Sequence, residues 1–498
     1  MDGSQSGRRR DRGEDFAQRE PLAPFERTFC RDHHAADTVA RLKDATLAIL
    51  QRTGVRVAAP AALEIFAERG AAVDTETQIV RLTPEVIEGA LATAPRVFTA
   101  CARDPQLDLR LSPERGFMTT DGCGTEVVDR ATGQRRASTK ADLAEITHLQ
   151  DYLGSISYWW PTVSAGDCGE TAQVHEVEVG LDWTEKHVSA MVQGRRFAEA
   201  AVEMARAVAG GAQELRRRPI LSNLCCPVSP LVHDRDATEA ALVFAAAGVP
   251  VCFGTMPTLG STAPAAAAGA LAVGAAEVVS GAVLLQMACP GAPVLGSIVP
   301  SYAHTRTGMA VQWPLEIRAT FTPSELVHAF GLPAAAGAGG TDAPAVGTWQ
   351  DGAETVLGLY CGLLDGAELL TGVGLVDCAR LSTPESLVLH DDLYHHLCGL
   401  LRDTAVSTEA LALDVIDAVG PGGHYLAQRH TRQHLKDAVT LGLAHQPAAG
   451  PGYRDPVEVA RQRTDQILKE YEPRRLPPDL RQELAGIVAA LGTSLERQ

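Results

Sequence analysis

Several things are missing from this sequence, and each absence removes a class of function. The 11 cysteines run from Cys30 to Cys398 without a C-x-x-C spacing, so neither a disulfide framework nor a zinc site is expected. The adjacent pair Cys225-Cys226 reads as a strand-end core pair. Basic charge is in deficit: 44 Lys and Arg face 61 Asp and Glu, for a net charge of −17. That balance opposes binding to a phosphate backbone and suits a cationic ligand. The basic opening MDGSQSGRRRDRGED carries no apolar stretch, so no secretory signal is predicted and a cytoplasmic protein is expected. The most apolar region, residues 262–300, is rich in Ala and Gly and broken by Glu277, Gln286 and Pro290. It reads as a buried helix feeding a strand, not a membrane span. H-E-x-x-H, G-x-S-x-G, a dinucleotide G-x-G-x-x-G and G-x-x-x-x-G-K-[ST] are all absent. Zinc hydrolysis, serine hydrolysis, nicotinamide chemistry and a phosphate loop therefore lack support.

What is present is a rhythm. Short apolar β-type segments begin near Phe117, Ile156, His187, Pro219, Val249, Ala292, Leu332 and Glu368, each followed by a helix-length amphipathic or Ala-rich stretch. Eight such units predict an α/β chain closed into a (β/α)8 barrel, whose functional groups gather on loops at the carboxyl ends of the strands. Four regions are expected: a disordered tail over 1–35, a helical lobe over 36–115, the barrel over 116–375, and a helical extension packed on the barrel over 376–498. In the lobe, Thr83 followed by Pro84 predicts a helix start. Ala131-Thr132-Gly133 joins two β-type runs as a hairpin, and Thr139 with Asp142 marks the next helix start.

Only 24 residues are aromatic, yet ISYWWPTVSAGD places three in a row. Strand alternation puts Tyr158, Trp160, Thr162 and Ser164 on one side and Trp159 on the other. Turned inward, Tyr158 and Trp160 offer π faces to a cation; the alternative is ordinary barrel packing. Asp167 follows in a polar loop. Another strand ends in Ser301, Tyr302 and His304, where an imidazole can orient a carboxylate or move a proton, or simply be solvated. In AAAGAGGTDAPAVGTWQDGAETV, Gly337, Gly339 and Gly340 permit close backbone approach. Asp342 comes next, with Trp349, Gln350 and Glu354 opening the following helix. An acid after the glycines repels phosphate and favours a cation, unless Asp342 is only a turn or cap residue.

Separated blocks, among them DATLAILQRTGVRV, HEVEVGLDWTEKHV, RRRPILSNLCCPVSPL and GGTDAPAVGTWQDGAETVLG, together resemble the trimethylamine:corrinoid methyltransferase superfamily in the family's order over residues 36–475. The resemblance implies a TIM barrel that passes a methyl group from a methylated amine to the cobalt of a corrinoid (cobalamin) held by a separate partner protein. No covalently bound cofactor and no metal ligands in this chain are implied, and a homo-oligomer is expected. The trimethylamine enzymes of methanogens carry pyrrolysine, which would fall near residues 337–341, whereas this chain has only standard residues. It is more similar to the non-pyrrolysine branch that includes glycine betaine methyltransferases. The family's TDAK and DxQAxYE patterns occur here in part, as TDAP and WQDGAE. A glycine betaine-like quaternary amine is then the expected methyl donor. Tyr158, Trp160 and Trp349 would cage the ammonium, Asp167 and Asp342 would balance it, and Tyr302, His304 and Gln350 would meet the rest of the substrate, with His304 and Asp342 as the candidate catalytic pair. Two rival readings are a barrel lyase or decarboxylase acting on an anion, for which Arg195 and Arg306 are the available cations, and a non-catalytic amine-binding relative.

Overall fold

Segments buried on both faces, the pattern of parallel strands flanked by helices, form the centre of the molecule. A computed structural model describes residues 16–27, 36–308, 310–311, 317–337, 340–401, 406–438 and 442–496. The barrel strands are β1 (Arg115–Thr120), β2 (residues 156–159), β3 (Val188–Ala190), β4 (Leu221–Cys225), β5 (Val251–Thr255), β6 (Val294–Ile298), β7 (Ala334–Gly337) and β8 (Leu369–Val373). Parallel ladders join β3 to β8 in sequence and return from β8 to β1. The least regular strand is β2, which closes the ring through single parallel bridges from Met118 to Ile156 and from Trp159 to Val188. The fold is thus a closed (β/α)8 barrel, and its strands begin within two residues of the positions read from the sequence.

The barrel helices are α1 (Lys140–Tyr152), α2 (Ala172–Trp183), α3 (Arg195–Ala209), α4 (Arg235–Ala247), α5 (Ala267–Ala288), α6 (Ile317–Ala329), α7 (Trp349–Asp365) and α8 (Pro384–Leu400). Thr139 and Asp142 form a reciprocal capping box at the start of α1, satisfying two otherwise orphaned N–H groups. Helix α5 is long and apolar enough to cross a membrane by composition, but 89% of its most apolar window is buried inside the protein. Its uniform apolarity follows from its position, with β5 and β6 on one side and the N-terminal lobe on the other.

That lobe corrects one expectation. Besides helices Ala36–Arg52, Pro60–Glu68 and Pro84–Leu91 it contains antiparallel strands Val55–Val57, Ile79–Arg81 and Ala72–Asp74. Val55 and Val57 are buried either side of exposed Arg56, a period-two signal too short to stand out beside three helices. A second hairpin, Phe98–Ala100 with Leu109–Leu111, packs its leucines against Phe117 and Tyr158 and closes the barrel from the end where the strands begin.

The tail also departs from the sequence reading, since part of it is ordered. Phe16 and Phe25 are buried, and residues 25–26 pair antiparallel with β1. Arg19 donates to Asp151 and Glu185, and the Tyr394 hydroxyl donates to Ala23 O at 2.6 Å. Two buried rings and a paired guanidinium supply what the polar first residues lack; residues 1–15 and 28–35 lie outside the described set. The boundary at 375 likewise cuts through the barrel, because α8 is its eighth helix. After it, helix Pro456–Glu470 packs on α8 and α1, and helix Pro478–Glu496 packs on α3 and α2. Lys186, 1% exposed, sits where α1 gives way to β2. Its Nζ donates to the carbonyls of Gln150, Leu153 and Ile156 at 2.6, 2.8 and 2.5 Å. Burial pulls this amine down to about 7, while three acceptors match the three N–H groups of the ammonium form.

Candidate functional site

Alternation along the strands decides what the lumen contains. Outward residues are fixed by their helix partners: Trp159 lies on Gly180 and donates to Thr147 Oγ1 at 2.9 Å, Phe253 lies on Gly281, and the Cys225 thiol donates to Ala237 O. Their neighbours must therefore face the lumen. Tyr158, Phe117 and Leu295 pack together there, with Trp160, Cys252 and Leu369 against them. A Cβ at Gly254 would fall 2.8 Å from Leu224 Cδ1 and one at Gly337 would fall 3.2 Å from Val299, so these glycines let side chains of the adjacent strands occupy the lumen. Cys226, expected as half of a core pair, is instead partly open while Cys225 is buried. Burial pushes the Cys226 thiol up to about 11 and the Cys252 thiol up to about 12. Both are neutral, inert thiols at physiological pH.

Asp121 stands at the carboxyl end of β1, where its backbone N–H is held by Val373 O at 2.8 Å. Its carboxylate accepts the Gly122 N–H at 2.9 Å. Among the described residues no cationic side chain opposes it, and burial raises its pKa. Beside it, the Trp160 indole covers Gly122 so closely that a Cβ there would fall 2.1 Å from Nε1. That Nε1 is buried with no oxygen acceptor among the described residues and lies by the Cys123 sulfur, whose thiol burial pushes far up. Behind this corner Glu176 of α2, also raised by burial, accepts from Ser164 Oγ at 2.7 Å and from Ala165 N at 3.1 Å. These bonds fix the loop that leaves β2. Asp121 was not singled out from the sequence because T-T-D-G-C-G has the look of a turn. The available signal was an acid closing a predicted barrel strand.

The loop after β7 is tied down by two buried acids of α7. Glu354 accepts from Thr341 Oγ1, from Asp342 N and from Gln350 Nε2 at 2.8, 2.8 and 2.9 Å. Asp351 accepts from Gly347 N at 2.7 Å and lies 3.1 Å from His390 Nε2, while His390 Nδ1 accepts the Gly374 N–H at 3.0 Å. The Gly374 bond fixes the tautomer, so His390 donates from Nε2 and couples the end of β8 to the start of α7. Burial would raise Asp351, but the bonds from His390 and Gly347 bring it below its ordinary value.

The structure brings some of the sequence candidates together and separates others. Tyr158 and Trp160 share the lumen. Asp342 and Gln350 share the Glu354 network, with Asp342 also accepting from the Cys378 thiol at 3.1 Å. Trp349 does not join the aromatic pair: it opens α7 on the outside and is 88% exposed. Asp167 is exposed and accepts the Lys140 N–H at 2.7 Å, supporting the start of α1. Tyr302 lies in the short strand Ser301–Ala303, paired with Thr258–Leu259 and Ala310–Val311 outside the barrel ring. His304 is exposed, and its Nδ1 accepts from the backbone of Arg306 and Thr307 in its own turn. Among the described residues one group could share a metal ion, Glu20, Asp391 and His395. Glu20 is already engaged by Arg463 and by the Gly154 N–H.

A parallel barrel whose lumen carries aromatic faces and, at the carboxyl ends of its strands, an acid with no cationic partner among the described residues has the build of a barrel enzyme acting on a small ligand. The trimethylamine methyltransferase (MTTB) family matches residues 2–494, and the chain belongs to that family. It is accordingly a methyltransferase. A trimethylamine methyltransferase of Desulfitobacterium hafniense is 30% identical over 449 residues, covering 89% of this chain and 90% of that protein. A glycine betaine methyltransferase of another strain of that species is 27% identical, covering 92% and 96%. The crystal structure of the monomethylamine methyltransferase of Methanosarcina barkeri aligns over 92% of this chain and 88% of its own at 13% identity with a TM-score of 0.45, a likeness too distant to bear on the site.

Proposed function

We propose that this methyltransferase takes its methyl group from a methylated ammonium cation held in the barrel lumen, and that the acceptor is a corrinoid carried by a separate protein docked over the strand ends. The observation behind this reading is the corner formed by Asp121 and Trp160, with Tyr158 below. An ammonium gains from an indole or phenol face, by about 0.5–2 kcal/mol per contact, and from a carboxylate with no other counter-charge among the described residues. A quaternary nitrogen needs no proton donor: when the N–CH3 bond breaks, its electron pair stays on nitrogen and a neutral tertiary amine leaves. The protein's part is to orient one methyl toward the mouth and exclude water.

Fit to a docked corrinoid is supported by the rim, where Met256 and Val228 expose apolar surface at 56% and 54% just beyond β5 and β4. The corrinoid supplies a cobalt nucleophile when its carrier is bound. The lyase reading on an anionic substrate is disfavoured by the same corner. Arg195 lies half-exposed on α3 paired with Glu199, and Arg306 sits in an exposed turn. Reduced free cobalamin, offered as acceptor with a panel of quaternary amines, tests the proposal spectroscopically. Methylated cobalamin formed with at least one donor is the expected result, and none with any donor would contradict it.

A further inference from the structure

Quaternary amines fall into two kinds, those with a carboxylate and those without. Resting on the cation site proposed above, we infer that the methyl donor is a carboxylate-free ammonium, choline-like or tetraalkylammonium in chemistry, and not a betaine. The charged groups facing the lumen carry the inference. Among the described residues the lumen-facing positions of the strands hold Asp121 and no Lys or Arg. His187, at the start of β3, bridges Cys101 O and Ser222 Oγ at 2.8 and 2.9 Å. Burial pulls it down to about 4, so it is neutral. Lys186 is turned away, into the carbonyls that end α1.

A betaine would carry its own carboxylate into a space that already holds one acid and two electron-rich rings. That carboxylate would be desolvated without a counter-ion and would repel Asp121, both of which disfavour binding. It would also bring the ligand's net charge to zero and so weaken its attraction to Asp121. The other polar groups at lumen-facing strand positions, Thr119, Ser189, Ser222, Ser297 and Thr371, are uncharged hydroxyls. They suit a hydroxyl or an unadorned alkyl tail. An enzyme built for a carboxylated donor would present an Arg, a Lys or a cluster of backbone N–H groups at this depth.

Isothermal titration and methyl transfer to reduced cobalamin, run side by side with choline, tetramethylammonium, glycine betaine and carnitine on the full chain, separate the possibilities. Choline or tetramethylammonium is expected to bind and react at least tenfold better than either carboxylated donor. Asp121→Asn should shrink that ratio, because it weakens the cation and relieves repulsion of the betaine. Preference for glycine betaine or carnitine would overturn the inference while leaving the methyl-transfer reading intact. Reaction with none of the four would overturn both.

Discussion

The indole of Trp160 rests directly on the backbone of Gly122, leaving no room for a Cβ between the ring and the strand that carries Asp121. This contact sets the distance between the aromatic face and the acid, so it should be the point at which the site is most easily broken without touching either group. Gly122→Ala is expected to push the ring off its seat. Overpacking of this kind costs about 1–3 kcal/mol. Tryptophan emission should shift and kcat/KM for the best donor should fall at least tenfold, which steady-state kinetics on the folded variant will show.

Asp121 should display opposite effects on stability and on binding. Burial raises its carboxyl pKa above the unfolded value. Sign matters here: a folded pKa above the unfolded one means stability is lost as pH rises through that interval. Asp121→Asn should therefore make the ligand-free protein more stable at pH 8, with the gain vanishing below the ordinary carboxylate range. Urea midpoints at the two pH values check this. Donor affinity should move the other way, weakening at least tenfold in the variant and, in the wild type, falling as acid protonates the group.

Lys186 predicts a purely structural loss. Lys186→Met leaves three carbonyls without their donor, and buried unsatisfied groups cost about 1–3 kcal/mol each. A drop of ~3 kcal/mol or more in denaturant stability is expected, read from the urea midpoint at constant m-value.

Trp349 provides the contrasting case. At 88% exposure, Trp349→Ala should change stability by less than about 0.5 kcal/mol. Donor affinity, measured by titration, should stay within error of wild type. A loss of donor binding in this variant would return Trp349 to the cation site.

How far the sequence speaks for the structure depends on the range of the signal. The eight strand positions were legible because each rests on a local run of apolar residues followed by a helix start such as Thr139 with Asp142. The inward pairing of Tyr158 with Trp160 followed from the two-residue period alone. The acid that faces them was not legible. Asp121 reads locally as a turn residue, and only barrel closure, Met118 against Ile156, sets β1 beside the strand carrying Trp160. Trp349 misled for the converse reason: it lies near the glycine loop in sequence, but as the first residue of α7 its side chain points to solvent. The Glu354 hub reaches back 13 residues to Thr341, a separation set by the path of a loop and not by any helical or strand period. Residues 28–35, 312–316 and 338–339 lie outside the described set, so the glycine run is seen only at Gly337 and Gly340.

The central claim is that the barrel lumen is a cation site, and a crystal structure with tetramethylammonium tests it most directly. The ammonium is expected beside the Asp121 carboxylate with its nitrogen within about 6 Å of the Trp160 ring centroid. An ammonium found only on the outer surface, or a lumen that stays free of it at saturating concentration, would contradict the account.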